Sequence, residues 1–335
     1  MDSRILDYTN HDKDFWYEEL ENWVPKRIYD SHIHILKNDL IDDTSEHKNA
    51  FPDSDLSVIT EWNKTVLPNR EINHLVLGRP AVGTDINAYN NFLHHEVKSN
   101  KLTRAHRLTT PSDSLKDIEN DIKIKRFQGL KVYRMYSITG DIANCLIEDF
   151  LPHEQLELAN DLGLWITLHL SREDACADRE NLQDLEEFTT KRYPNIKWIL
   201  AHVARSFTYR PIQKAIDTLK NLPNIWYDLS AVTDVRPFIT LFKNENHKRI
   251  FYGTDGIESV SFHGAYTAFA HAHNHVKTDD IKSLEFLHTT NRPVICLYEN
   301  LIAIKQASII CELSQEQIED IFWRNAVREF NVPWD

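Results

Sequence analysis

The stretch Arg27–Ile35 reads RIYDSHIHI. Its isoleucines and tyrosine favour a pleated, half-buried strand, and it closes on His32-Ile33-His34. Residues i and i+2 of a strand share a face, so the two imidazoles aim the same way. Seven further short apolar runs follow. They are His74–Arg79 (HLVLGR), Leu102–Thr109 (LTRAHRLT), Gly129–Tyr136 (GLKVYRMY), Trp165–Leu170 (WITLHL), Ile196–Val203 (IKWILAHV), Asn224–Ser230 (NIWYDLS) and Arg249–Asp255 (RIFYGTD).

Helical spacing separates several of these runs. Ser112–Arg126 sets Leu115, Ile118, Ile122 and Ile124 near one face, with Ser112 or Ser114 as cap. Glu154–Leu162 stops at Gly163, and Asn181–Tyr193 stops before Pro194. Strands alternating with helices imply parallel pairing through right-handed crossovers, and eight of them close a (β/α)8 TIM barrel. The expectation is one α/β domain over 1–335, with barrel strands over about 27–256 and additional C-terminal helices over about 278–332. In the latter, Ser314–Gln317 has capping-box spacing. A doubly wound open sheet would carry a glycine-rich first turn, and none is present.

Composition narrows the function classes. The 335 residues hold 38 Lys+Arg against 51 Asp+Glu, a net charge of −13. That balance disfavours nucleic acid and anionic membranes as partners. No run is long and apolar enough to span a bilayer, and the acidic N-terminus lacks a signal-peptide core. The four cysteines, Cys145, Cys176, Cys296 and Cys311, form no CxxC pair, so reduced thiols in a cytoplasmic protein are expected. Only 8 glycines occur, where average usage of about 7% predicts roughly 23. With no GxGxxG and no GxxxxGK[ST], phosphate binding by a glycine-rich loop is not signalled.

In a barrel the functional side chains stand at the C-terminal ends of the strands. There the chain places His32 and His34 (first strand), His169 (fifth), His202 (sixth) and Asp255 (eighth). A lone histidine in a strand is ordinarily a hydrogen-bonded core residue. Four imidazoles and a carboxylate at the ends of strands from one set of eight make a site for a divalent metal such as Zn²⁺.

With this pattern the chain resembles the amidohydrolase superfamily, and within it the amidohydrolase-related (amidohydrolase 2) branch of metal-dependent TIM-barrel hydrolases and aminocarboxymuconate-semialdehyde decarboxylase-like enzymes. The runs DSHIHI, LHLS, LAHVAR, FYGTDG and the ending IFWRNAVREFNV carry the resemblance, which extends from about Tyr29 to Val332. It implies one divalent ion, Zn²⁺ first and Mn²⁺ second, held by His32, His34, His169 and Asp255. It makes Asp255 the residue that holds a water on the metal and takes its proton. His202 is then a ligand or a partner of substrate or water. Some members bridge a second metal through a carboxylated lysine; Lys131 lies early in its strand, and one metal is favoured.

Arg134, Arg172, Arg205 and Tyr136 stand near the mouth as candidate substrate contacts, with Arg79 and Tyr133 nearby. A guanidinium binds a carboxylate bidentately, and the alternative for each arginine is an ordinary salt bridge. The expected function is hydrolysis of an amide, ester or lactone of a small anionic substrate. Non-oxidative decarboxylation on the same metal site is the rival, and a non-catalytic ligand-binding barrel the second. Expected partners are a small-molecule substrate and, by base rate, a second copy in a homodimer. The run His263–His275 holds four histidines, of which His271 and His275 would share a helix face; His263 is the one that could reach the pocket. The polar 36–57 segment would overhang the mouth as a lid or a surface loop.

Overall fold

All eight expected strands form, and they pair in chain order in one parallel sheet. They are β1 (Arg27–Ile35), β2 (Glu71–Gly78), β3 (Arg104–Leu108), β4 (Gly129–Tyr133), β5 (Trp165–His169), β6 (Lys197–Leu200), β7 (Ile225–Asp228) and β8 (Ile250–Phe251). The structure is a computed structural model describing residue 5, residues 7–277 and residues 293–334. The sheet curls into a (β/α)8 barrel. β8 meets β1 where the Ser31 amide donates to the Tyr252 carbonyl at 2.9 Å. The buried Asp30 carboxylate reinforces this seam by accepting from the Thr254 amide (3.0 Å) and hydroxyl (2.6 Å). The β1 register slips between Asp30 and Ile33, and such a bulge re-aims side chains beside a site.

Three strands stop well short of their apolar runs, β4 at Tyr133 ahead of the 3₁₀ turn Arg134–Tyr136. β6 ends at Leu200 because the chain turns left-handed at His202. β8 ends at Phe251, so Asp255 stands in the loop beyond it, with φ 74°. Helices cover the barrel with the expected caps. Ser114 caps Leu115–Lys125, and Gly163 closes His153–Leu162 at φ 61°. On Leu115–Lys125 the buried face is narrower than its spacing suggested: Ile118 is buried, whereas Leu115 and Ile124 are exposed.

At the C-terminus Cys296–Ile310 is helical, and Ser314 forms the expected capping box at the head of the last helical stretch. Residues 278–292 of the expected C-terminal helical region lie outside the described residues. The histidine-rich run is a correction: it forms an antiparallel hairpin of β9 (Gly264–Phe269) and β10 (Ala272–Lys277). Tyr266, Thr267 and Phe269 are residue types that suit a pleat, and Ala270 makes the turn at φ 48°. His271 therefore stands in the turn, and it is His273 and His275 that share a strand face. The 36–57 segment is an ordered loop. Leu36 and Ser54 exchange backbone hydrogen bonds, and Asn38 is tied to Phe51 and Asp53. Among the described residues no helix is long and apolar enough to cross a membrane, and all four cysteines are free.

Candidate metal centre

His32 and His34 do aim together, their Nε2 atoms 3.2 Å apart. Asp255 closes the group, with Oδ1 3.2 Å from His32 Nε2 and 3.4 Å from His34 Nε2. Its amide donates to the His32 carbonyl at 2.7 Å, which fixes the β8 loop to β1. His202 completes the set: one ligand atom each from His32, His202 and Asp255 lies within 4.8 Å of the others. The His169 ring centre is 5.1 Å from that of His202 and 4.7 Å from Tyr133.

The far side of each imidazole decides what the near side offers. His32 Nδ1 meets Asp228 Oδ2 at 2.8 Å, His34 Nδ1 the Gly78 carbonyl at 3.1 Å, and His202 Nδ1 the Ser230 carbonyl at 3.1 Å. Those oxygens only accept, so the hydrogen-bond network assigns the proton to Nδ1 in each ring. Nε2 of His32 and of His34 is then a bare lone pair facing the other and the Asp255 carboxylate. Acceptors packed this closely repel unless a cation sits among them, and imidazoles oriented by outer hydrogen bonds are the usual donors to one. The donor set fits a borderline divalent ion.

The electrostatics agree. Burial alone would raise the Asp255 carboxyl, but His202, His32 and His34 outweigh it and hold it well below the usual carboxylate range. Asp228 is buried too, yet His32 and the bonds it accepts keep it ionised. Burial pushes His34 down to about 4, leaving the neutral ring that ligation requires. For His32, burial and Lys131 push down, but Asp228 and Asp255 win and raise it. The pocket thus favours positive charge at this point. Lys131, fully buried, places Nζ 3.3 Å from His32 Nε2, and burial lowers its amine to about 8.

His202 is held by an unusual backbone. His202, Val203, Ala204 and Arg205 have φ of 58°, 53°, 55° and 59°, a full left-handed turn with no glycine. Such a conformation costs roughly 1–2 kcal/mol per residue. It persists only where the surroundings over-determine it. Here the His202 amide donates to Asp228 Oδ1 at 3.0 Å, and the Ser206 amide donates to the His202 carbonyl at 2.8 Å. Asp228 thereby links two candidate ligands, with one oxygen on the His32 ring and the other on the His202 backbone. Ser230 adds its amide (3.1 Å) and hydroxyl to that second oxygen. Asp228, Ser230 and Asp30 escaped the sequence reading. The available signal was the polar interruption at the end of NIWYDLS, the same kind that marked Asp255.

The mouth arginines divide into two groups. Arg172 pairs with Asp178 at 2.7 Å, and Arg79 grips both oxygens of Glu258. Arg134 and Arg205 form no ion pair among the described residues. Arg134 donates to the Ile142 carbonyl at 2.8 Å and keeps a buried Nε without a hydrogen-bond partner. Arg205 donates to the Arg172 carbonyl; burial first and Arg134 second lower its guanidinium to about 10. The Tyr136 hydroxyl is engaged by the amide and the carbonyl of Ala81. Phe207 packs on His202 at 5.3 Å, and His273 of the hairpin stacks on Phe207 at 4.7 Å. His263 turns to Asp12 at 2.9 Å.

Residues 103–332 match the model of a protein family described as amidohydrolase. The chain belongs to the amidohydrolase family. The match starts beyond β2, so His32 and His34 enter the centre of this amidohydrolase on geometry rather than on the family match. No curated protein matches the chain. Solved structures share the fold, three of them as follows. A probable 2-pyrone-4,6-dicarboxylic acid hydrolase from Acinetobacter baumannii with citric acid bound is 14% identical over 91% of this chain and 99% of its own, at a TM-score of 0.56. 5-Carboxyvanillate decarboxylase from Sphingomonas paucimobilis is 13% identical over 92% and 100%, at 0.53. A dihydroxybenzoic acid decarboxylase from Polaromonas sp. JS666 with bound manganese and an inhibitor is 14% identical over 93% and 98%, at 0.54. The amidohydrolase is thus an enzyme of this superfamily with a candidate His/His/Asp metal site.

Proposed function

We propose that this amidohydrolase is a metal-dependent hydrolase that cleaves an amide, ester or lactone of a small anionic substrate. The observation that carries the reading is the convergence of three possible ligand atoms, His32 Nε2, His34 Nε2 and Asp255 Oδ1, within 3.4 Å of one another. His32, His34, His202 and Asp255 would hold the ion, with His169 beside them. Zn²⁺ is the first candidate and Mn²⁺ the second. When bound, a divalent cation supplies Lewis acidity that polarises a substrate oxygen and acidifies a water.

The chain's own groups do the rest. Asp255, ionised at neutral pH, accepts the proton of the attacking water and returns it to the leaving group. His202, with its proton on Nδ1, presents an acceptor and so suits ligation better than donation to an oxyanion. Arg134 and Arg205, two neighbouring guanidiniums without a carboxylate, receive the substrate's anionic group. Arg172 supports Arg205 through the carbonyl that Arg205 grips, and Tyr136 holds the loop at Ala81.

One observation favours non-oxidative decarboxylation as the second reading. The Lys131 ammonium lies buried beside His32, where it could hold a substrate carboxylate deep in the pocket. Cytoplasmic residence and a homodimer remain part of the proposal. Metal analysis of the purified protein tests the shared premise: about one divalent ion per chain is expected, with a rise in Tm on adding Zn²⁺ or Mn²⁺ to the stripped protein. No stoichiometric metal and no rise overturn it. Turnover of lactones and N-acyl amides without carbon dioxide supports hydrolysis; carbon dioxide from aromatic carboxylates supports the rival.

A further inference from the structure

The left-handed turn His202–Arg205 is built without glycine in a chain that has only 8 glycines in 335 residues. Its two middle side chains, Val203 and Ala204, are fully buried in the main core. A residue with a Cβ has a small left-handed well, whereas glycine enters that region and many others freely. A turn of four such residues, pinned by Asp228 at His202 and by the Arg172 carbonyl at Arg205, has little freedom left. Its first residue is a candidate ligand and its last a candidate anion contact.

We propose that Val203 and Ala204 are positioning residues, whose buried side chains lock the left-handed turn and so hold His202 at the metal centre and Arg205 over it. This rests on the reading of His202 as a ligand. Four β-carbons in a row in the disfavoured well also predict that the turn is less stable than its burial suggests.

The test compares two alanines that are both fully buried. Ala204 is in the turn; Ala215 is inside the right-handed helix Tyr209–Leu219. Each loses one methyl on replacement by glycine, so the difference isolates the backbone. In metal-stripped protein, Ala215→Gly lowers Tm by about 2–3 °C, while Ala204→Gly leaves it unchanged or raises it. In a chelator competition, Ala204→Gly weakens Zn²⁺ binding about tenfold, the scale of losing an outer support of a ligand. Ala204→Ser, which keeps a β-carbon, stays within about twofold of the parent. Equal Tm losses for the two glycine variants, or a serine variant as weak as the glycine one, overturn the proposal. If the parent binds Zn²⁺ and Ala204→Gly binds it as tightly, the proposal falls and the metal reading stands; if the parent binds no ion, both fall.

Discussion

The two ends of the barrel are made of opposite materials. At the base, Tyr29, Leu75, Leu77, Trp165, Ile199 and Phe251 point inward and are capped by Phe330 and Trp334 of the C-terminus. Phe330 lies 5.1 Å from Trp165, 5.2 Å from Phe251 and 5.9 Å from Tyr29, ring centre to ring centre. At the mouth, bare imidazole nitrogens face a carboxylate. The loops after β5 to β8 there hold eight non-glycine residues at positive φ: Arg172, Ala175, His202–Arg205, Ala231 and Asp255. The base buries aromatic surface in tilted and edge-on ring contacts. The mouth gathers like-natured acceptors and strained backbone, which the rest of the fold must hold in place. One sheet thus separates stability from chemistry along its strand axis, and the two should respond independently to substitution.

The largest expected effect is at the mouth. Asp255→Asn keeps the shape of the side chain but removes the proton acceptor. Turnover should fall by about 10²–10⁴, with the circular dichroism spectrum unchanged; retained turnover would remove Asp255 from its role. At the base, Phe330→Ala should cost about 3–5 kcal/mol of stability, read by urea unfolding, while bound metal per chain stays as in the parent. Loss of metal in the folded variant would show that the two ends are coupled.

Between these lies Asp228, buried at the mouth, which holds the His32 ring and the His202 backbone. Asp228→Asn offers His32 Nδ1 an amide that can donate as well as accept, so the ring loses its fixed tautomer. Metal affinity should weaken about 10–100-fold, and Tm of the stripped protein should move much less than for Phe330→Ala. An unchanged dissociation constant would show that Asp228 does not set the His32 tautomer.

The base and the strand order were legible in the sequence because apolar runs of strand length report burial directly. The candidate ligands could be picked out because each interrupts such a run at the end that topology makes the mouth. What stayed hidden depends on contacts distant in sequence. Asp228 acts through His32, 196 residues away, and nothing in NIWYDLS announces its partner. Arg79 pairs with Glu258 across 179 residues, so it looked as available as Arg134. Propensity alone also carried β6 through to Val203, because a left-handed turn without glycine has no compositional mark. The hairpin was hidden among histidines whose spacing of four suggested a helix.

The flank of the barrel gives the smallest and cleanest test. His74 of β2 is buried, with Nε2 3.2 Å from the Asn63 amide of helix Leu56–Val66, away from both ends. Burial alone lowers it to about 4, whereas in the unfolded chain it titrates near 6.5. Between those values the unfolded state takes a proton that the native state refuses. Stability from this group is therefore fully present above about pH 6.5 and is lost as pH falls toward 4, with a slope of about 1.4 kcal/mol per pH unit for one proton. In His74→Gln that proton disappears from the balance. Urea unfolding of stripped protein from pH 6 to 4.5 should show a pH slope smaller by about one proton than the parent's. The mouth histidines keep their own share of the acid sensitivity. An unchanged slope would mean that His74 is protonated in the native barrel, and that the acid sensitivity comes from other buried histidines such as His106, which burial lowers to about 3.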